Sequence, residues 1–152
     1  MSDFAGRGGW WVLGQGVLLV IVAVTLPWDV PAPGWLVVVG AAVAVSGGVL
    51  AWAGASGLGV QLTPYPEPTG GSQLVDTGIY ARVRHPIYGG LGLLAIGAAI
   101  MARSPLSLGA GLVLLGYLAA KSASEERRLL RHHHDYAEYR RRVPKRLIPW
   151  VW

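Results

Sequence analysis

The sequence predicts an all-α membrane protein with about four transmembrane helices, the last two a short hairpin, followed by an amphipathic C-terminal helix in the cytosol. Three observations support this class. Of the 152 residues, 53% are hydrophobic and 14% charged, whereas a soluble domain is about a quarter charged. Charge-free apolar stretches recur along the chain. After residue 80, twelve basic residues accompany four acidic ones; before it, one basic residue accompanies four acidic ones.

The first two predicted spans are bounded by tryptophans. Residues 8–28 carry no charge, and about 20 such residues cross the hydrocarbon core of a bilayer. The second stretch runs from Trp35 past Trp52. Tryptophan prefers the two membrane–water interfaces, so its place near both ends of each stretch supports these spans. Residues 31–34, Pro-Ala-Pro-Gly, predict the tight loop between them.

The third and fourth stretches, residues 86–102 and 104–120, are short for spanning helices. They predict a hairpin that turns around Arg103, whose long side chain reaches the far interface. In the second stretch, small residues recur at Gly40, Ala44 and Gly48. Such a stripe lets two helix backbones approach closely, and we expect it to serve packing within the chain.

The distribution of Lys and Arg predicts the orientation. Residues 59–85 contain Arg82 and Arg84, nine basic residues follow residue 120, and the loop after Trp28 has none. The positive-inside rule then places both termini in the cytoplasm. We expect a single domain over residues 1–152, in which residues 8–58 are scaffold and 59–152 form the functional core. A cleaved signal peptide fits the first stretch less well, because the apolar run is long and ends at tryptophan.

A basic pair precedes the predicted hairpin, and an acidic pair follows it. Proline favours the first position of a helix, so Pro86 predicts that Arg84 and His85 lie at a helix N-terminus. Free N–H groups and a partial positive charge make such an end a site for carboxylate or phosphate, to which a guanidinium adds paired hydrogen bonds. An interfacial anchor with a helix cap is the alternative.

Glu125 and Glu126 follow the fourth stretch, where carboxylates oppose the helix dipole. This indicates either a helix that continues or a cationic ligand. Lys121 lies four residues before Glu125, so a local ion pair competes with a carboxylate that binds a ligand's ammonium or ribose hydroxyl groups.

The remaining tail predicts a helix that lies on anionic lipid, or folds back over the hairpin, rather than a nucleic-acid site. Its apolar and aromatic residues share one face and end at a proline: Leu129, Leu130, His133, Tyr136, Tyr139 and Val143. Three consecutive histidines, residues 132–134, point in different directions on a helix. We therefore predict no metal site.

The motif Leu-Val-x-x-Gly-x-Tyr-x-x-x-Arg-His-Pro-x-Tyr runs from Leu74 to Tyr88. An apolar hairpin, the pair Glu125-Glu126, Tyr136-x-x-Tyr139 and Val143-Pro144 follow it in order. Over residues 59–149 the sequence resembles the isoprenylcysteine carboxyl methyltransferase family, which is related to the membrane phospholipid (phosphatidylethanolamine) N-methyltransferases.

The resemblance implies an S-adenosylmethionine-dependent methyltransferase that acts on a lipid-like or prenylated acceptor, by carboxylate O-methylation or amine N-methylation. It implies a cofactor site at the cytosolic face, built from Leu74, Val75, Tyr80, Arg84, His85, Pro86 and Glu125. Arg84 and Glu125 would also be catalytic. Lys121 would bind substrate, at a position where the carboxyl methyltransferases have Arg. The lysine ammonium is a point charge, whereas the planar guanidinium of arginine can donate two parallel hydrogen bonds to a carboxylate.

Two other functions stay open at this stage. One is a membrane scaffold without activity, and the other is a nicotinamide enzyme like the sterol reductases, which share this C-terminal fold but have many more spans. The expected partners are the lipid bilayer and an amphiphilic acceptor, without nucleic acid. The small-residue stripe is compatible with a monomer or an oligomer.

Overall fold

The structure is a computed structural model that describes residues 8–59, 74–132 and 135–152. These residues form five α-helices, a short 3₁₀ helix at Gly78–Ala81, and no strand. The α-helices are α1 (Gly9–Thr25), α2 (Trp35–Leu58), α3 (Pro86–Met101), α4 (Pro105–His132) and α5 (Tyr136–Arg142). The predicted all-α class is confirmed for the described part of the chain. Residues 60–73, before the sequence motif, and His133 lie outside it.

The first four helices coincide with the apolar stretches, because a helix satisfies its backbone polar groups internally where lipid offers no partner. Two of the described helices, Trp35–Leu58 and Pro105–Arg131, are long and apolar enough to cross a membrane. The other two, α1 and α3, are apolar but only 17 and 16 residues long. At 1.5 Å per residue they extend about 25 Å, somewhat less than a hydrocarbon core of roughly 30 Å.

The four helices pack in the order α2, α3, α4, α1. Small residues bring α2 and α3 into backbone contact: a side chain at Gly40, Gly47 or Gly54 would collide with α3, and one at Gly97 would collide with α2. Packing within the chain is therefore confirmed. The predicted stripe is wrong at Gly48, which faces a leucine side chain at ordinary distance. The contacting glycines recur every seven residues, about two helical turns.

The turn between α3 and α4 forms where the sequence predicts it. Arg103 adopts a left-handed φ of 56°, a conformation that commonly ends a helix. Its carbonyl accepts a hydrogen bond from the Val30 amide (3.1 Å), and its guanidinium lies 3.7 Å from Asp29. The Ser104 hydroxyl donates to the Thr25 carbonyl (2.8 Å). These contacts join the hairpin to α1 at the end of the bundle opposite Arg84.

The helix that contains the fourth stretch continues past Ala120 to His132. Of the two explanations for Glu125 and Glu126, a continuing helix is thus observed. The predicted tail helix is divided into the end of α4 and the seven-residue α5. Leu130 is 40% exposed, so it does not share the buried face of Tyr136, Tyr139 and Val143.

After α5 the chain turns back across the N-terminus of α3. We call residues 143–152 the strap. The backbone amide of Arg84 donates to the Lys145 carbonyl (3.1 Å), and that of His85 donates to the Arg146 carbonyl (2.8 Å). Leu147 is fully buried, and its carbonyl lies against Gly89, one turn into α3. The tail therefore folds over the hairpin, one of the two predicted arrangements.

Candidate active site

Arg84 lies in the interior of the protein, directly before α3. Pro86 is the first residue of that helix, as its sequence position predicts. Only 7% of Arg84 is exposed. Its Nε donates to Glu126 Oε1 (2.9 Å), and its Nη1 donates to the carbonyl oxygen of Val143 (2.6 Å). The guanidinium thus joins α3, α4 and the strap, and it does not extend outward as an interfacial anchor would.

Glu126 is the acidic centre of this arrangement. It is 3% exposed, and its Oε1 also lies 3.2 Å from His85 Nε2 and 3.5 Å from Arg146 Nε. Its Oε2 lies 3.9 Å from Arg140 Nε. A buried carboxylate is stable only with such partners. Three guanidinium groups, those of Arg84, Arg140 and Arg146, thus lie within 3.9 Å of this one carboxylate.

The family resemblance implies a ligand role for Glu125 and gives none to Glu126. Adjacent residues on a helix point about 100° apart, so the assignment depends on knowing the inward face. A signal for that face exists in the sequence. Leu114, Leu118, Ser122 and Glu126 recur every four residues, and all are buried.

Glu125 of α4 contacts two further side chains at the N-terminus of α3, those of Tyr88 and His85. Tyr88 donates its hydroxyl to Glu125 Oε1 (2.5 Å), and His85 Nδ1 lies 3.5 Å from Glu125 Oε2. The rings of His85 and Tyr88 are stacked, with centroids 5.8 Å apart. His85 therefore contacts both carboxylates, one with each ring nitrogen, and couples Glu125 to the Arg84–Glu126 pair.

Lys121, predicted to bind substrate, is 1% exposed. Its ammonium lies 4.8 Å from the centroid of the Tyr88 ring and donates to Gln15 Oε1 (2.8 Å). The sequence alone predicts no role for Tyr88 or Gln15. Tyr88 closes the quoted motif, whereas Gln15 lies in a stretch interpreted as scaffold.

The other predicted cofactor residues surround α5. Leu74 packs against a buried cluster of Tyr136, Tyr139 and Val143, and Val75 beside it is half-buried. The Tyr139 hydroxyl donates to the Tyr80 carbonyl (2.8 Å). Tyr80 in turn donates its hydroxyl to a carbonyl oxygen of α2 (3.2 Å). The motif segment is thus clamped between α2 and α5. An ion pair between Arg142 and Asp76 adds a further link at the surface.

Tyr136 carries the one buried hydroxyl of this cluster that lacks a partner. The residue is 1% exposed, and its Oη makes no hydrogen bond in the structure described. Burial, reinforced by the charge of Glu126, raises the pKa of Tyr136, so the hydroxyl stays protonated at neutral pH. Buried polar groups are nearly always hydrogen-bonded. Among the described residues, the Tyr136 hydroxyl is thus a buried donor that lacks an acceptor.

We expect the two tyrosines of α5 to respond differently to loss of the hydroxyl. Tyr139→Phe removes the bond to the Tyr80 carbonyl and is expected to lower the free energy of unfolding by about 1 kcal/mol. Tyr136→Phe removes an unpaired buried hydroxyl, so stability should be unchanged or higher. Unfolding of both variants in detergent with increasing denaturant checks this. Equal destabilisation by the two substitutions would contradict the unpaired state of Tyr136.

Metal binding receives no support from the described residues, among which no three His, Cys, Asp or Glu side chains are grouped as ligands. The three consecutive histidines, residues 132–134, are the candidate metal ligands in the sequence, and their side chains lie outside the described part of the chain.

Comparisons with known proteins identify the family of the chain. Residues 35–135 match the sequence model of the phospholipid methyltransferase family. The solved structure of a eukaryotic intramembrane Ras methyltransferase, isoprenylcysteine carboxyl methyltransferase, is similar, with a TM-score of 0.68 and 28% sequence identity. The match covers 78% of this chain and 43% of that one, so the matched part spans less than half of that protein. A search of curated proteins finds no match. The resemblance seen in the sequence is confirmed, and the chain belongs to the phospholipid methyltransferase family.

Proposed function

We propose that the chain is an integral membrane methyltransferase that uses S-adenosylmethionine and methylates the polar end of a lipid-like or prenylated amphiphile. One observation carries the proposal. Within the residues that match the family, Arg84 and His85 at the N-terminus of α3 meet two carboxylates of α4, Glu125 and Glu126, in a buried cluster. This places groups for binding an anion and groups for binding a cation side by side.

The proposed topology has four spans, with both termini in the cytoplasm. In its favour, the cluster and most of the basic residues occur at one end of the helix bundle, while Arg103 lies at the other. The positive-inside rule assigns the basic end to the cytoplasm, where S-adenosylmethionine is available.

The residues present fit this cofactor. Its methionine portion has a carboxylate and an ammonium group, and its ribose has two hydroxyl groups. Arg84 and His85, at the positive end of α3, would hold the carboxylate. Glu125 would accept from the ammonium or the ribose, and the unpaired Tyr136 hydroxyl would donate. Leu74, Val75, Tyr80 and Pro86 would form the walls. When bound, the cofactor supplies a methyl group activated by a sulfonium.

The residues of the chain mainly align the methyl donor with the acceptor and exclude water. These are the main requirements of an in-line displacement. Glu126 fixes the guanidinium of Arg84, and the buried strap residues Val143 and Leu147 keep water from that side. Lys121 would hold the polar end of the acceptor. A carboxylate acceptor needs no base, whereas an amine must lose a proton, which Glu125 or His85 would accept.

Calorimetry with the purified protein in detergent tests the proposal. We expect saturable binding of S-adenosylhomocysteine, the product form of the cofactor, and none of reduced NADP. Binding of reduced NADP alone would favour the sterol-reductase-like function, and binding of neither would favour a scaffold. Incubation with labelled S-adenosylmethionine and total membrane lipid then identifies the acceptor from the labelled product.

A further inference from the structure

The first helix contributes a polar side chain to the cluster, although it lies outside the residues that match the family. Gln15 of α1 accepts a hydrogen bond from the buried ammonium of Lys121 (2.8 Å). Apart from Thr25 at its end, α1 is otherwise built from apolar residues and glycine. An amide in such a helix has a cost in lipid, and polar side chains there usually serve a function.

The contact continues inward from Lys121. Its ammonium lies over the Tyr88 ring, and the Tyr88 hydroxyl donates to Glu125. A buried ammonium requires polar neighbours, which the amide oxygen of Gln15 and the face of an aromatic ring provide. Gln15 is therefore the first residue in a series of contacts that continues through Lys121 and Tyr88 to Glu125 in the proposed cofactor site.

Gln15 is not needed to attach α1 to α4. Three other hydroxyl groups donate across this seam: that of Tyr117 to the Trp10 carbonyl (3.1 Å), that of Ser107 to the Val22 carbonyl (2.9 Å), and that of Ser104 to the Thr25 carbonyl (2.8 Å). These contacts lie along the whole length of the helix. A role for Gln15 in orienting Lys121 explains its presence better than a role in packing.

We propose that Gln15 is a positioning residue that holds the Lys121 ammonium beside Tyr88 and Glu125, so that α1 forms part of the acceptor site. This inference rests on the proposed methyltransferase function. An apolar residue at position 15 leaves the ammonium with one hydrogen bond fewer and frees its four-carbon stem to turn. The acceptor then loses its fixed partner, while the Arg84–Glu126 pair remains.

The contact is tested by nitrogen-15 NMR of lysine-labelled protein in detergent. The chain contains two lysines, Lys121 and Lys145, so Lys145→Arg assigns the signals. We expect a slowly exchanging ammonium signal from Lys121 that disappears in Gln15→Leu and is retained in Gln15→Glu, which keeps an oxygen acceptor. A signal that is unchanged in Gln15→Leu would overturn the inference.

The positioning role is tested by methyl transfer from labelled S-adenosylmethionine to graded amounts of total membrane lipid. Gln15→Leu should raise the half-saturating lipid concentration about tenfold, the effect of losing one hydrogen bond to a charged group. Affinity for S-adenosylhomocysteine should not change. Ser107→Ala is the control, because it removes a hydroxyl that donates to the Val22 carbonyl across the same seam, far from Lys121; an equal effect there would show that Gln15 acts only through packing. If the wild type does not bind S-adenosylhomocysteine, the proposed function fails, and the lysine signal alone decides whether Gln15 holds Lys121.

Discussion

Replacement of Glu126 by alanine is expected to lower the free energy of unfolding by about 3–5 kcal/mol, because it leaves the buried Arg84 guanidinium without its carboxylate. Binding of S-adenosylhomocysteine should be lost at the same time. The cause is local: Glu126 is the acceptor for Arg84 Nε and lies within 3.5 Å of His85 and Arg146. Denaturant unfolding and calorimetry in detergent measure the two effects.

Glu126→Gln keeps the prediction testable if the alanine variant does not fold. The amide preserves the shape and one oxygen acceptor but removes the charge, so we expect a folded protein with at least about tenfold weaker binding of S-adenosylhomocysteine. Asp29→Asn is the matched control, since it removes a carboxylate from a half-exposed pair with Arg103 at the opposite end. Such a pair contributes about 0–1 kcal/mol. Equal effects of the two amide variants would contradict a special role for Glu126.

Gly89→Ala is expected to displace the strap. A methyl group at position 89 would collide with the backbone carbonyl of Leu147, and a backbone atom cannot turn aside as a side chain can. Such overpacking costs about 1–3 kcal/mol. The larger effect should be functional: the strap also bonds to the backbone of Arg84 and His85, so its movement disturbs the groups proposed to hold the cofactor.

Limited trypsin digestion reports whether the strap is displaced, because trypsin cleaves after Lys and Arg, and Lys145 and Arg146 lie within the strap. We expect faster cleavage at these residues in Gly89→Ala, with weaker binding of S-adenosylhomocysteine. Gly116→Ala is the control, since a methyl group there meets no atom within 4 Å and alanine favours the helix. If Gly89→Ala shows the digestion pattern and affinity of the wild type, the strap is not held by this contact.

The sequence predicts the helices well because an apolar segment in lipid must satisfy its backbone hydrogen bonds internally, and a helix does so. Pro86 marks the start of α3, and Trp35 the start of α2. The sequence leaves the end of α4 open, because hydropathy detects where an apolar surface ends, not where a helix ends. Residues 121–132 are polar but rich in good helix formers, so the helix continues.

The site was predicted in part. The motif places Arg84 and His85 at the start of α3, and the structure confirms that position; their ligand roles remain predictions. Contacts that involve the backbone left no trace in the sequence, since the carbonyl groups of Val143 and Leu147 are the same in any residue. The partnership of Gln15 with Lys121 joins residues 106 positions apart, a separation at which a single sequence gives no pairing signal.

The hydrogen bonds from Arg84 and His85 to the strap have a consequence for the order of biosynthesis. The four helices precede the strap along the chain, so synthesis passes through a stage at which the helices have been made and residues 143–152 have not. At that stage, Arg84 lacks the Val143 carbonyl, and the start of α3 lacks its cover. The surroundings of Arg84 are therefore completed only after the strap has been made and has folded over the start of α3.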